Sequence, residues 1–397
     1  PFARVPGGRA LVIAQLSLSV VLGIGAAAFV QALRSLEDRD LGLDREHVLL
    51  LWASPRQAGM LGDRVAALYD TVRARLALLP DVVEVGVASG GVLDGGRSED
   101  SGQRVSVPGR AAPPGEIFRA NSDVVTPGYL GALGLRLLQG RDVAVSDSGM
   151  PHHVAIISES VVRRFFPDVD PIGRLITFEG SSAPHEIVGV VSDARYRSPF
   201  ATNRMMFYVP YHQEAGHLYG MCIALRTSGG PLRLARQARE ALREAAPDLP
   251  VLRVGTVEDQ IADVLAPERM MASLSLFFGV TAALLACLGL YALLAYTTRN
   301  RTNEIALRLA LGSSRIRVMR MVLRDCLRLV VTGVAIGLAA ATGAARAARS
   351  VLPDAPAADL PVVTVTILLL SAVALLAGLL PAWRGSRLEP MAVLRSE

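Results

Sequence analysis

The densest group of side chains spaced for chemistry in this 397-residue chain lies between residues 299 and 325, RNRTNEIALRLALGSSRIRVMRMVLRD. Glu304 and Arg308 stand four apart, in the order that favours an ion pair along one helix face. Ile305, Leu309 and Gly312 fall near one face, and Gly312-Ser313-Ser314 can break that helix before a second basic one. The spacing supports two readings, a solvated positive loop or a short amphipathic helix offered to a partner. Elsewhere catalytic constellations are missing. His47, His152, His153, His185, His212 and His217 form no HExxH or other metal-ligand spacing, and each reads as a surface-loop residue, so no metal site is expected. Cys222, Cys287 and Cys326 are far apart with no CxxC, which indicates neither zinc nor a disulfide framework. No GxSxG occurs, and Asp94-Gly95-Gly96 reads as a turn, not a phosphate cradle.

The sequence contains no lysine, so all 41 basic residues are arginine. That excludes an ordinary P-loop ATPase, whose lysine reaches the nucleotide phosphates, and Schiff-base chemistry on lysine. Neither a catalytic residue nor a cofactor site is expected in this chain.

The elements that would position the basic segment are long and apolar. Residues 10–33, 271–298, 327–345 and 360–380 are four apolar runs, the last expected to end at Pro381. A membrane-spanning helix needs about 20 predominantly apolar residues. The first, second and fourth runs meet this directly, and the third does if its helix starts nearer Val322. With 51% hydrophobic and only 19% charged residues, the composition agrees. The spans carry Gln, Ser and Thr but no Asp, Glu, His, Lys or Arg in their interiors, which disfavours proton- or ion-coupled carriage.

Charge sets the orientation. Residues 299–328 hold eight Arg against Glu304 and Asp325, a net of +6, whereas residues 34–269 have a net of −4. Positive flanks mark the cytoplasmic side. The expected order is an inside N-terminus, a first span (10–33), an external domain (34–269), a second span (271–298) and a cytoplasmic segment (299–326). A third span (327–345), an external loop (346–359), a fourth span (360–380) and a cytoplasmic tail (381–397) follow.

Within the external region, VLLLWAS (48–54) and VVEVGVAS (82–89) read as strands around a helix with Val65, Leu68, Tyr69, Val72, Leu76 and Leu79 on one face. MCIALRTS (221–228) and VLRV (251–254) flank a second helix, lined by Leu234, Ala238, Ala241, Leu242 and Ala245. Both helices stop at Pro-Asp. Two such units predict an α+β subdomain built from 48–90 and 221–262. Residues 91–118 read as a loop or linker, and 119–212 as an inserted, mainly β subdomain.

The run RxxEIALRxALGS (301–313) resembles the signature after the second helix of FtsX-like permeases of the macrolide-exporter (MacB) type of ABC transporter. PAWRGSRLEPMAVLR (381–395) is similar to that family's C-terminal motif. NSDVVTPGYL (121–130), LQGRD (138–142), VAIISE (154–159), FFPDVDPIG (165–173), EIVGVVSDAR (186–195) and YVPY (208–211) resemble its periplasmic core domain. The resemblance implies a membrane protein with four transmembrane helices and a large α+β extracytoplasmic domain. It implies a permease subunit in a bacterial inner membrane, carrying ATP-driven movement to the periplasmic domain for export or extraction of a substrate. Its partners would be an ABC-type ATPase that binds the ATP, a second permease unit and membrane lipid, with no nucleic acid. Arg301, Glu304, Ile305, Arg308, Leu311 and Gly312 would be the ATPase-coupling residues. The opening residues, beginning at Pro1, also resemble the second half of a duplicated permease, and the chain is expected to be a piece of a longer product. Two other readings stand beside this one, a non-transporting ATP-driven regulator and a membrane sensor with an external ligand-binding domain.

Overall fold

The computed structural model describes residues 6–94, 102–108, 117–149, 152–179, 181, 183–201, 203–214, 216, 218, 220–300, 314–351 and 359–386. The chain divides into two units. A helix unit takes the residues up to Glu37 and from Ala266 onward, and an α/β unit takes Asp38–Leu265.

Among the described residues four helices build the helix unit: α1 (Pro6–Glu37), a second at Ala266–Asn300, a third at Arg315–Val351 and a fourth at Leu360–Ser386. At 1.5 Å per residue the 32-residue α1 is about 48 Å long, more than a hydrocarbon core requires. All four are long and apolar enough to cross a membrane. Their ends depart from expectation. The second begins at Ala266, not 271, because Pro267 suits a first helical turn and Glu268 faces the positive end of the helix dipole. Arg269 there pairs with Glu37 of α1 at 2.8 Å. Residues 346–351 are helix, not external loop, since the alanine-rich run 339–348 favours continuation over a stop at Arg346. The fourth helix runs past Pro381 to Ser386; proline removes one amide donor, and the helix on either side persists.

The α/β unit contains, in chain order, β1 (Val48–Ala53), α2 (Asp63–Leu76), β2 (Val82–Ala88), β3 (Gln103–Ser106), β4 (Arg119–Val125), α3 (Tyr129–Ala132) and β5 (Leu137–Gly140). It continues with β6 (His153–Ser158), α4 (Glu159–Phe165), β7 (Leu175–Phe178), β8 (His185–Val191), β9 (Met206–Pro210), β10 (Met221–Thr227), α5 (Ala235–Ala245), β11 (Val251–Thr256) and α6 (Val257–Val264). The last three helices of the chain are accordingly α7, α8 and α9.

The two strand–helix–strand units interleave. Their strands run in the order β11-β1-β10-β2, every neighbour antiparallel, the split βαβ arrangement. Period-two alternation puts Leu49, Leu51, Ile223, Leu225, Val85 and Val87 in one core with Val65, Tyr69 and Val72 of α2 and Ala238 and Leu242 of α5. Helix α2 ends at Leu76, so Leu79 packs from the following turn. Asp81, at φ 65°, makes the left-handed turn into β2, and its carbonyl accepts from Ser228 N at 2.9 Å.

β2 meets β4 through the pair Ala88↔Val125. From β4 the sheet runs β4-β3-β7-β8-β6-β9, and β9 returns to β4 in parallel register, closing a ring of six strands. Val105, Ile157, Ile176, Ile187, Phe207, Phe165 and Phe166 fill it. Residues 91–118 are not only loop: Gln103–Ser106 is a strand between β4 and β7. Four residues with a single buried apolar side chain, Val105, leave almost no alternation to read.

Candidate functional site

The coupling set Arg301, Glu304, Ile305, Arg308, Leu311 and Gly312 lies outside the described residues; the helices that deliver it are described up to Asn300 and from Ser314. Helix α8 opens as a basic amphipathic helix. Arg317, Arg320, Arg324 and Arg328 are spaced three and four apart and all exposed, while Val322, Cys326 and Val330 are buried on the opposite side. The Ser314 carbonyl accepts from Arg317 N at 2.9 Å, closing the first turn. Arg328 stands 3.7 Å from Asp325.

What positions α7 and α8 is α1 on one side and α9 on the other, since each packs against both while α7 and α8 barely meet. Between helices without an aqueous driving force, small residues allow the backbones to approach. A Cβ added at Gly337 of α8 would lie 2.7 Å from Val20 Cβ and 2.8 Å from the Ser17 carbonyl of α1; one at Gly333 would lie 2.7 Å from Leu16 Cβ. Ser17 Oγ has one hydrogen to share between Ile13 O of its own helix (2.8 Å) and Gly333 O across (3.0 Å). Ser19 Oγ does the same with Gln15 O (2.8 Å) and Ala282 O of α7 (2.9 Å). These hydroxyls hold α1 to α7 and α8 through backbone carbonyls, with no charge involved.

In the α/β unit the motif residues are structural. Asp123, buried in β4, accepts from Gly90 N (2.8 Å), Gly91 N (2.9 Å) and the Tyr196 hydroxyl (2.5 Å), and the Tyr196 oxygen meets the Tyr129 hydroxyl at 2.9 Å. Burial pushes both phenols well above their usual range, so they stay protonated donors. Asp142 receives Gly128 N (3.0 Å) and Val143 N (2.7 Å). Arg141 forks onto the fully buried Asp147 at 3.0 and 2.7 Å. Asp193 accepts from Ser160 N (2.7 Å) and Ser160 Oγ (2.6 Å). Near this network Asp94 pairs with Arg197 at 2.7 Å, yet burial raises its pKa to about 6, Arg197 lowering it in part and Asp123 adding to the rise. Sequence reasoning missed Asp123 as an anchor; the available signal was a carboxylate in the interior of a strand whose other charge, Arg119, stands at its start.

The histidines do not all lie in surface loops. His185 opens β8, fully buried, its ring 4.5 Å from that of Phe178. His153 opens β6 and is its register partner across the parallel pair. Glu214, after β9, approaches both rings, at 3.7 Å from His185 Nε2 and 3.9 Å from His153 Nδ1. No spacing rule unites residues 153, 185 and 214, because strand pairing alone brings them together.

Two family models match the chain: MacB-like periplasmic core domain over residues 10–244 and FtsX-like permease C-terminal over 276–390. The macrolide export ATP-binding/permease protein MacB of Chromobacterium violaceum is 23% identical over 285 residues, 70% of this chain and 44% of that protein. The pyoverdine export ATP-binding/permease protein PvdT of Pseudomonas syringae pv. tomato is 30% identical over 260 residues, 62% of this chain and 38% of that protein. The chain thus spans less than half the length of either relative. The ABC transporter permease YknZ of Bacillus subtilis is 20% identical over 278 residues, 69% of each chain. Among solved structures, the periplasmic region of MacB from Actinobacillus actinomycetemcomitans matches 58% of this chain and 98% of its own, at 17% identity and a TM-score of 0.38.

Proposed function

We propose, for a chain that belongs to the FtsX-like permeases with a MacB-like periplasmic core domain, that it is the membrane subunit through which an ABC-type ATPase drives an extracytoplasmic domain. Asp38–Leu265 lies outside the inner membrane, and residues 299–328 and both chain ends lie inside. ATP is bound and hydrolysed by the partner ATPase. The segment 301–313 docks on that ATPase, with Ile305 and Leu311 as apolar contacts, Glu304 and Arg308 ordering the helix or pairing with the partner, and Gly312 ending it. Arg301 adds to the positive docking face. A second permease unit completes the membrane assembly, and the work performed is export or extraction of a substrate.

The observation that carries this reading is the start of α8, where four exposed arginines oppose a buried apolar face immediately after 301–313. Such a face must stay out of lipid while its other side packs on the helix unit. The test is affinity purification of the tagged chain from its own membranes. Wild type should retain a Walker-type ATPase, and the double variant Glu304→Ala, Ile305→Ala should lose most of it at unchanged chain yield. Equal retention by both would remove the coupling role.

A further inference from the structure

We infer that the α/β unit holds one divalent transition-metal ion, with zinc as the best fit, between His153 Nδ1, His185 Nε2 and a carboxylate oxygen of Glu214. The three atoms all lie within 4.8 Å of one another. Bond lengths of about 2.0–2.2 Å around a tetrahedral zinc put neighbouring ligand atoms roughly 3.3–3.5 Å apart. The observed nitrogen-to-oxygen separations of 3.7 and 3.9 Å need to close by only a few tenths of an ångström. At those separations neither nitrogen is hydrogen-bonded to the carboxylate. Two imidazoles and a carboxylate suit zinc or copper(II) over magnesium or calcium, and they leave a fourth position for water.

Proton bookkeeping points the same way. The Ser181 hydroxyl donates its one hydrogen to Ala183 O at 2.8 Å, so towards His185 Nδ1, 3.4 Å away, its oxygen can only accept. In a neutral ring that puts the proton on Nδ1 and leaves the lone pair on Nε2. His185 is fully buried, and its Nε2 and His153 Nδ1 are buried nitrogens with no hydrogen-bond partner among the described residues. A lone pair facing a carboxylate oxygen in a desolvated place is repulsive, and a cation between them turns the contact attractive. Ser181 thereby takes the outer position typical beside a metal-bound histidine.

The surroundings fix the ligands before any ion arrives. β6 and β8 pair in register from their first residues, His153↔His185. Gln213 clamps the turn that carries Glu214 onto the start of β6: its Oε1 accepts from Val154 N at 2.9 Å, and its Nε2 donates to Asp147 O at 2.8 Å. An ion here would tie β6, β8 and the turn after β9 together at one end of the strand ring.

The test uses the whole chain in detergent, purified without a polyhistidine tag and stripped with a chelator. Zinc titration should show one site per chain and a rise in melting temperature, and cobalt(II) loading should give the absorption of a tetrahedral nitrogen–oxygen site. Glu214→Gln and His153→Asn, both at the less buried side, should each weaken zinc binding about tenfold or more and abolish the thermal shift. His47→Asn should change neither. X-ray absorption on the zinc-loaded wild type should find two imidazoles and one carboxylate, a readout independent of whether the variants fold. No uptake by wild type, wild-type affinity in both variants, or a different donor set would each overturn the site.

Discussion

The α/β unit and the helix unit are fastened by different chemistry. In the α/β unit, buried carboxylates collect backbone amides and hydroxyls: Asp123 holds the Gly90-Gly91 turn and Tyr196, Asp142 holds Gly128, and Asp193 holds Ser160. Such bonds are directional, and they are costly to break because a desolvated partner remains. In the helix unit, small residues and hydroxyl-to-carbonyl bonds hold α1 to α7 and α8, with no buried ion pair in the spans among the described residues. Contacts of that kind part without leaving a desolvated charge behind. The contrast suits a machine in which the helix unit rearranges and the α/β unit keeps its internal geometry.

The largest expected effect is on the rigid side. Asp123→Ala strands two amides and a phenol in a buried place, at about 1–3 kcal/mol for each group left unsatisfied. A loss near 4 kcal/mol should lower the melting temperature of the α/β unit by roughly 10 °C in near-ultraviolet circular dichroism. On the helix side, Gly337→Leu would press against Val20 and the Ser17 carbonyl, an overpacking cost of about 1–3 kcal/mol. It should lower the stability of the helix unit in detergent while leaving in place the transition that Asp123→Ala shifts; a joint shift of both transitions would erase the distinction between the units.

The smallest effect is a pH slope. Asp94 titrates near 6 in the folded chain against 3.8 as its ordinary value, so the native state binds its proton more tightly than the unfolded one. Its contribution to stability is full below pH 4 and is lost as pH rises through 6, by about 1 kcal/mol after allowance for partial exposure. Asp94→Asn should flatten melting temperature against pH over that window; an unchanged slope would place the titration elsewhere.

How much of this was legible in the sequence follows from the range of each signal. Uncharged runs announced the four helices, and short apolar runs between turn signals announced β1, β2, β10 and β11, because both patterns are local. The helix ends were misjudged where local rules compete, as at Arg346 inside an alanine-rich run and at Pro381 inside α9. The closing of the strand ring by β4 and β9 was invisible, since residues 121 and 206 meet only through pairing. The same holds for His153, His185 and Glu214. The motif residues were recognisable as a family pattern, but their work as amide-collecting carboxylates needed the coordinates. The coupling set was expected from the family resemblance beside a Glu–Arg spacing, and it falls on residues outside the described structure, where it stands as a proposal.

The most direct measurement of the central claim is the ATP hydrolysis rate of the partner ATPase reconstituted in nanodiscs with this chain. The account predicts that wild type stimulates hydrolysis, and that Glu304→Ala with Ile305→Ala abolishes the stimulation while the α/β unit keeps its melting temperature. Full stimulation by the double variant would contradict it.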